Sequence, residues 1–495
     1  MQQLSNATLA ALPAEVAVPE YDRGALRSGI VHLGVGHFHR AHQAVYLDEL
    51  MRQGTAMDWA ICGGGVRPRD GGISAALVPQ DYLYTLTAKA PDGSRQSRVI
   101  GSLNGYEYTA GDPAALVARL ADPAVRIVSL TITEGGYGLD PATGGFTPES
   151  PTIQADLRDE TPNRTAFGVV LQAMRLRRSR GDGGLTIMSC DNVEHNGRVA
   201  REAFLGFAEL NDPGLARWME RHLAFPSSMV DRVTPGTVDA DRAYLEEAYG
   251  YRDRWPLTCE PFHQWVLEDT FAAGRPPLED AGVEVVTDVE PYELMKLRLA
   301  NGTHQALGYF GSLLGHRYVH EAIADPDIAA LLAGYRDEAV PTLRPITGVD
   351  PHAYGRTILE RFGNPEIRDP LTRICADTSE RIPKFLLPVV TARLAAGGPV
   401  RHCAAVVASW ARYAEGVDEL GRPIEVVDPR RDTLLAAARK QAADPLAFLD
   451  DRAVFGDLAR RAPFVRAYLD ALALMRTEGV RVALREVVRP RRSPR

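Results

Sequence analysis

The sequence predicts an α/β chain, a Rossmann-like doubly wound N-terminal domain followed by a mostly α-helical C-terminal domain. Three observations carry that expectation. An apolar run, Ile30-Val31-His32-Leu33, ends in Gly34-Val35-Gly36 and leads through a helical pattern to a second apolar run, Trp59-Ala60-Ile61-Cys62. Strand, glycine turn, helix and strand in that order make a βαβ unit. The alternation continues, with helical patterns at 114–120, 166–180 and 199–210 and strand patterns at 127–132 and 185–190. After about residue 290 the pattern changes to long helical periods at 292–315, 326–339, 352–362, 383–395, 402–414, 432–442 and 463–487.

Residues 1–28 read as an irregular lead-in, and the first helix runs from about His39 to Met51. Segment 82–109, with Tyr82, Tyr84, Val99 and Tyr106 near Gly and Asn turns, reads as an inserted β-rich excursion. Clusters such as Gly363-Asn364-Pro365 and Gly397-Gly398-Pro399 punctuate the later helices. The expected domains are 1–285 and 286–495. The basic, proline-broken tail from Arg489 to Arg495 reads as a frayed, solvated terminus.

Composition narrows the function classes. The chain has 495 residues, and 56 Lys+Arg against 64 Asp+Glu give a net charge of -8. A generally basic nucleic-acid or membrane-surface protein is disfavoured. The five cysteines are scattered and form no C-x-x-C, which fits a reducing compartment rather than a disulfide framework. Without a basic n-region or a run of about 18 apolar residues, the expectation is a soluble, cytoplasmic protein. Only Lys89, Lys296, Lys384 and Lys440 are lysines among the basic residues. A lysine can lose its proton near neutral pH and an arginine cannot, so each of the four draws notice.

The segment Gly34-Val35-Gly36-His37-Phe38-His39-Arg40 follows a strand and opens a helix. In that context glycines let the backbone approach a pyrophosphate at the helix N-terminus, and Arg40 could add a charge to it. His39 stands where a third glycine would complete G-x-G-x-x-G. His32, His37, His39 and His42 invite a metal reading, but they straddle strand, loop and helix with no nearby carboxylate, and no metal is expected. An acidic residue after the second strand would hold the ribose of NAD. Asp70 suits that role, while Arg67 and Arg69 would suit the extra phosphate of NADP, so NAD is expected with NADP open.

A second constellation lies in the segment from Tyr292 to His304. Asn301 and His304 are three apart and so neighbour each other on a helix face, and the long stem of Lys296 can reach the same spot. An amine, an amide and an imidazole together suit oxidation of a secondary alcohol. The plain alternative is an amphipathic helix with solvated polar positions. Tyr292 and Lys296 also spell Y-x-x-x-K, but they stand too far from the glycine turn, in too long a chain, for the short-chain class. Ser189-Cys190-Asp191-Asn192 ends a parallel-type strand, where Asn192 could donate to a substrate oxygen or the Asx residues could simply cap a turn.

With these motifs the sequence resembles the polyol-specific long-chain dehydrogenases, the mannitol 2-dehydrogenase family, from about residue 28 to 480. The resemblance rests on Gly34 through His42, Thr133-Glu134, Ser189 through Asn192, Met229-Val230-Asp231-Arg232-Val233-Thr234-Pro235, and the K-x4-N-x2-H spacing from Lys296 to His304. It implies zinc-independent hydride transfer between a nicotinamide cofactor and a polyol or its ketose. It makes Lys296 the general base, gives Asn192 and Asn301 the oxyanion hole, sets His304 against the reacting substrate and links Glu293 to proton exit. Asp231, Arg373 and Arg381 match substrate-facing positions, and some relatives carry lysine where this chain has Arg381. Gly34 through Arg40, Asp70, Thr133 and Glu134 match the cofactor site. The partner implied is a small polyol or ketose, with neither nucleic acid nor membrane, and a monomer is compatible with everything above. Two rivals stand beside this reading: fructuronate reductase (mannonate oxidoreductase), and a non-catalytic dinucleotide-binding sensor.

Overall fold

The computed structural model describes residues 2–109, 112–140, 143–159 and 163–489. The chain divides into two compact units, Met1–Glu290 and Pro291–Arg495. The division lies just beyond a strand at Glu284–Val286, inside which the expected boundary at 285 would fall.

The first unit is built on a six-stranded parallel sheet: β1 (Ser28–Leu33), β2 (Ala60–Gly65), β3 (Leu103–Tyr108), β4 (Ile127–Leu130), β5 (Leu185–Ser189) and β6 (Leu223–Ala224). Their order is β3-β2-β1-β4-β5-β6. Sheet order reverses between β1 and β4, and in such sheets ligands gather outside the carboxyl ends of the strands at that switch point. Side chains alternate across the sheet as strand geometry requires. Ile30, Ile61, Ile127 and Met188 join the core on one face. Val31, Cys62, Val128 and Ile187 join the core on the other. Both faces are covered, so the strands are almost continuously buried.

The excursion is smaller than the sequence suggests. Only the antiparallel hairpin Tyr84–Lys89 with Arg95–Ile100 leaves the main sheet, joined in parallel by Leu257–Cys259. Residues 103–108 return to it as β3. As an edge strand, β3 buries only Leu103 and Tyr106 and carries Asn104, Gly105 and Glu107, so it lacks the apolar run that marks its neighbours. A second small sheet pairs Ser228–Asp231 antiparallel to Gln264–Glu268, which runs parallel to Glu284–Val286. The lead-in is not wholly irregular either: Gln2–Gln3 pairs with Tyr251–Arg252.

The second unit is helical. Its centre holds Gly302–Leu313 and Arg401–Tyr413, both buried around most of their circumference, with Pro326–Ala339 and Ala462–Thr477 beside them in one core. Two expected long helices are each interrupted. Thr378–Phe385 and Leu387–Ala395 are separate, with Pro388 in the first turn of the latter. Ala462–Thr477 and Val480–Val488 part at Gly479, whose φ is +91°. The expected helix 292–315 is three pieces: α-helix Glu290–Lys296, a π turn at Leu297–Asn301, and α-helix Gly302–Leu313. No described helix is long and apolar enough to cross a membrane. Of the expected tail, Arg489 is exposed, and 490–495 lie outside the described residues.

Candidate active site

In the first unit the glycine turn leaves β1 at its carboxyl end. Gly34 has φ +95°, and a Cβ there would stand 2.2 Å from the Thr131 carbonyl oxygen. The fold itself therefore demands glycine at this position. Gly36 is different. Its backbone is extended, and an added Cβ would meet nothing nearer than the Gly34 carbonyl oxygen at 3.6 Å. No packing asks for a glycine there, so its bare flank fits a site kept clear for something else. A short helix, His37–Ala41, begins at this point and bends at His42 into Gln43–Arg52.

Beneath the turn lies a buried polar layer. His32 sits between two hydroxyls, with Nδ1 2.8 Å from Ser129 Oγ and Nε2 2.9 Å from Thr131 Oγ1. Ser129 donates on to Gln43 Oε1 at 2.9 Å. Burial pushes the His32 pKa down to about 3, so the ring is neutral. His39 stacks on it with 3.5 Å between centroids and is itself held far below the usual histidine range by burial. His42 contacts the Gln264 carbonyl at 2.8 Å. Among the described residues no three His, Cys, Asp or Glu side chains are grouped to hold a metal ion. His32, His39 and His42 are buried in this layer.

Arg40 departs from expectation. It is 0% exposed, donates to the Trp255 carbonyl at 2.6 Å and the Gly36 carbonyl at 3.3 Å, and lies over the Trp255 and Tyr84 rings. Its guanidinium braces the turn from inside instead of reaching a phosphate in solvent. His39, 1% exposed, is likewise packing. Val35 is buried under the turn, while Gly36, His37 and Phe38 remain partly exposed at the helix start, and His37 Nε2 accepts from the Thr237 backbone N–H at 3.4 Å.

The carboxyl ends of β2, β4 and β5 supply the other sequence-predicted groups of this unit. Asp70 Oδ2 accepts the backbone N–H groups of Val66 and Arg67 at 3.0 and 2.9 Å, which fixes its carboxylate past the end of β2. Thr133 and Glu134 are exposed after β4, and Thr133 holds φ +70°, ψ 160°, a region that costs an ordinary residue about 1–3 kcal/mol. Asp191 secures that conformation. Its carboxylate accepts from Ile132 N at 3.0 Å, Thr133 N at 2.9 Å and the Tyr137 hydroxyl at 2.7 Å. Burial pushes the Asp191 pKa up. Asn196 is a structural amide, bonded to the Asp191 and Ser228 carbonyls at 3.0 and 2.7 Å. Asn192, between them in sequence, is exposed at the strand end. Asp231 is half-buried at the end of its strand, while Arg232 beside it donates to the Ala41 carbonyl at 2.7 Å and so anchors the short helix.

In the second unit Lys296 and Glu293 are buried, at 8% and 5% exposure. Lys296 stands apart from the other lysines: Lys89 pairs with Asp241 at 3.0 Å, and Lys384 and Lys440 are exposed. The π turn Leu297–Asn301 separates Lys296 from the helix carrying His304, and Gly302 N donates five residues back to the Leu297 carbonyl. On a regular α-helix, residues five apart point about 140° away from each other. A π turn closes on the fifth residue, so position 301 comes round above 296. His304 stacks on Phe362 at 3.7 Å between centroids. Its pKa is held well below the usual range, first by burial and then by the charges of Arg373, Arg361 and Arg381. Arg373 is tied to Asp369, and Arg381 donates to the Arg373 and Ile374 carbonyls at 3.0 and 3.2 Å. Sequence reasoning missed Arg361, Asp191's bracing role and Tyr335, described below. Gly302, a glycine within a helical pattern, was the one signal of a close approach.

Two family models match the chain: the mannitol dehydrogenase Rossmann domain over residues 28–280 and the mannitol dehydrogenase C-terminal domain over 288–475. A mannitol 2-dehydrogenase of Aspergillus fumigatus is 44% identical over 475 residues, 94% of each chain. One of Cereibacter sphaeroides is 44% identical over 471 residues, 95% of this chain and 98% of its own. Among solved structures, Pseudomonas fluorescens mannitol 2-dehydrogenase, in a ternary complex with NAD and D-mannitol, is 42% identical with a TM-score of 0.88, covering 98% and 99% of the two chains. A substrate-free D-sorbitol dehydrogenase is 38% identical with a TM-score of 0.91, covering 97% and 100%. The chain belongs to the mannitol dehydrogenase family.

Proposed function

We propose that the chain is an NAD-dependent polyol dehydrogenase that interconverts D-mannitol, or a close polyol such as sorbitol or arabinitol, and the 2-ketose. The observation that carries the reading is the set Lys296, Asn301 and His304 arranged about one π turn within the family's C-terminal domain. NAD, when bound, supplies the hydride acceptor. Lys296, at 8% exposure, accepts the proton of the reacting hydroxyl as hydride leaves. Asn301 donates to the developing oxyanion, and we assign Asn192 the second amide on the family resemblance. His304, kept neutral by burial and three nearby arginines, offers an N–H without competing for the proton. Glu293, one turn before Lys296 on the same helix, relays the proton onward.

For the cofactor we assign the pyrophosphate to the backbone of Gly34 through Phe38, with the bare flank of Gly36 against it. Asp70 receives the ribose hydroxyls, with Thr133 and Glu134 at the nicotinamide end. Asp231, Arg373 and Arg381 hold the polyol chain. Proton transfer belongs to Lys296 and needs no metal ion, so a chelator leaves turnover unchanged. The five buried thiols suit a cytoplasmic, reducing setting.

A second reading, fructuronate reductase, is favoured by one observation: Arg361, Arg373 and Arg381 all place positive charge near His304, which would suit a carboxylate. The deciding experiment assays mannitol, sorbitol, arabinitol, fructose and fructuronate with both NAD(H) and NADP(H). Turnover of mannitol and fructose with NAD(H), well above that of fructuronate, is expected. Preference for fructuronate moves the assignment to the sugar-acid enzyme, and preference for NADP(H) reassigns Arg67 and Arg69.

A further inference from the structure

The π turn needs something to hold it. Moving the Gly302 N–H from the Arg298 carbonyl to that of Leu297 takes from Arg298 the partner an uninterrupted α-helix would give it. The Tyr335 hydroxyl, from helix Pro326–Ala339, takes that place and donates to the Arg298 carbonyl at 2.6 Å. Tyr335 is 0% exposed. The hydroxyl occupies the space beside Gly302 so closely that a Cβ there would lie 1.9 Å from it. Only glycine leaves room for this bond. The Arg298 side chain is fastened as well, donating to the Thr342 carbonyl. Leu297, Leu299 and Ala300 are buried, so the turn is packed into the core.

We infer that Tyr335 is a positioning residue for the reaction: its hydroxyl, seated against Gly302, holds the π register that brings Asn301 and His304 round to Lys296. The inference rests on the proposed function for its catalytic consequence, but the register itself does not. Loss of the hydroxyl removes this donor from the Arg298 carbonyl. The nearest replacement is the Gly302 N–H, and taking it returns the segment to α-helical spacing. Position 301 then swings about 100° relative to Lys296. No atom of Tyr335 need touch substrate for turnover to fall.

The test is Tyr335→Phe, which keeps the ring and deletes the hydroxyl, assayed with a polyol and NAD alongside Asn301→Ala and the double variant. Turnover number in Tyr335→Phe is expected to fall about 100-fold, the scale of a misplaced catalytic group, with NADH affinity unchanged. Because the effect passes through Asn301 and His304, the double variant is expected to lose little more than the worse single variant. Losses that multiply, or a Tyr335→Phe turnover within about threefold of the parent, overturn the inference. A crystal structure of Tyr335→Phe reads the register whether or not the chain turns over any polyol. Gly302 N bonded to the Arg298 carbonyl supports the inference, and a retained π turn refutes it. A parent chain inactive on every polyol refutes the proposed function alone. Should Tyr335→Phe fail to fold, Gly302→Ala displaces the same hydroxyl and carries the same expectations.

Discussion

At the scale of single residues, the two glycines of the dinucleotide turn separate fold from function. Gly34 has a left-handed φ and a carbonyl 2.2 Å from where its Cβ would lie, whereas Gly36 has neither constraint. Gly34→Ala is expected to destabilise the chain by at least about 3 kcal/mol, read by urea unfolding. Gly36→Ala is expected to leave the unfolding midpoint nearly unchanged and to weaken NADH binding, read by fluorescence titration. Equal loss of stability in both variants would contradict the distinction. The sequence carried the turn and its helix, because glycine placement and strand context are local. It did not carry the fate of Arg40 and His39. Which side chains of a turn face inward depends on partners far along the chain, Trp255 and Tyr84 for Arg40, that no local pattern reveals.

Among elements, the strand ends are held by buried polar residues that look like ordinary turn formers. Asp191 gathers two backbone N–H groups and one phenol, and keeps Thr133 in a strained backbone region. Asp191→Asn replaces one accepting oxygen by a donor facing those donors. It is expected to cost about 2–3 kcal/mol in urea unfolding, and an unchanged midpoint would rule out the bracing role. The K-x4-N-x2-H spacing was legible as a number, and its meaning was not. A regular α-helix sends Lys296 and Asn301 apart, and only the π turn makes the spacing cohere. The tyrosine that supports this turn lies on another helix, beyond the reach of periodicity. The half-buried β3 escaped for a similar reason, since an edge strand in a parallel sheet reads like a strand of an insertion.

For the whole molecule, buried neutral histidines set an acid limit on stability. The pKa values of His32 and His42 are each pushed down to about 3 by burial. A histidine whose folded pKa lies below its unfolded value stabilises the fold above about pH 6.5, and that stability drains away as pH falls below it. From pH 7 to about pH 5 each of the two is expected to cost about 2 kcal/mol. Asp191 and Asp253, whose pKa values burial raises, act in the opposite sense and soften the decline. Urea unfolding at the two pH values checks the sum. His42→Gln, which can keep the 2.8 Å bond to the Gln264 carbonyl, is expected to flatten the pH dependence, and an unchanged slope would contradict the assignment. At this scale the sequence was most informative, because the family motifs are spread from Gly34 to His304 and their combination is specific even where each alone is weak.

The central claim is that Lys296, the one buried lysine of a lysine-poor chain, is the base. The measurement that tests it most directly is turnover of D-mannitol with NAD by Lys296→Ala, together with its affinity for NADH. The expected result is a loss of about a thousandfold in turnover number with NADH affinity within about twofold of the parent. Near-normal turnover in that variant would contradict the account.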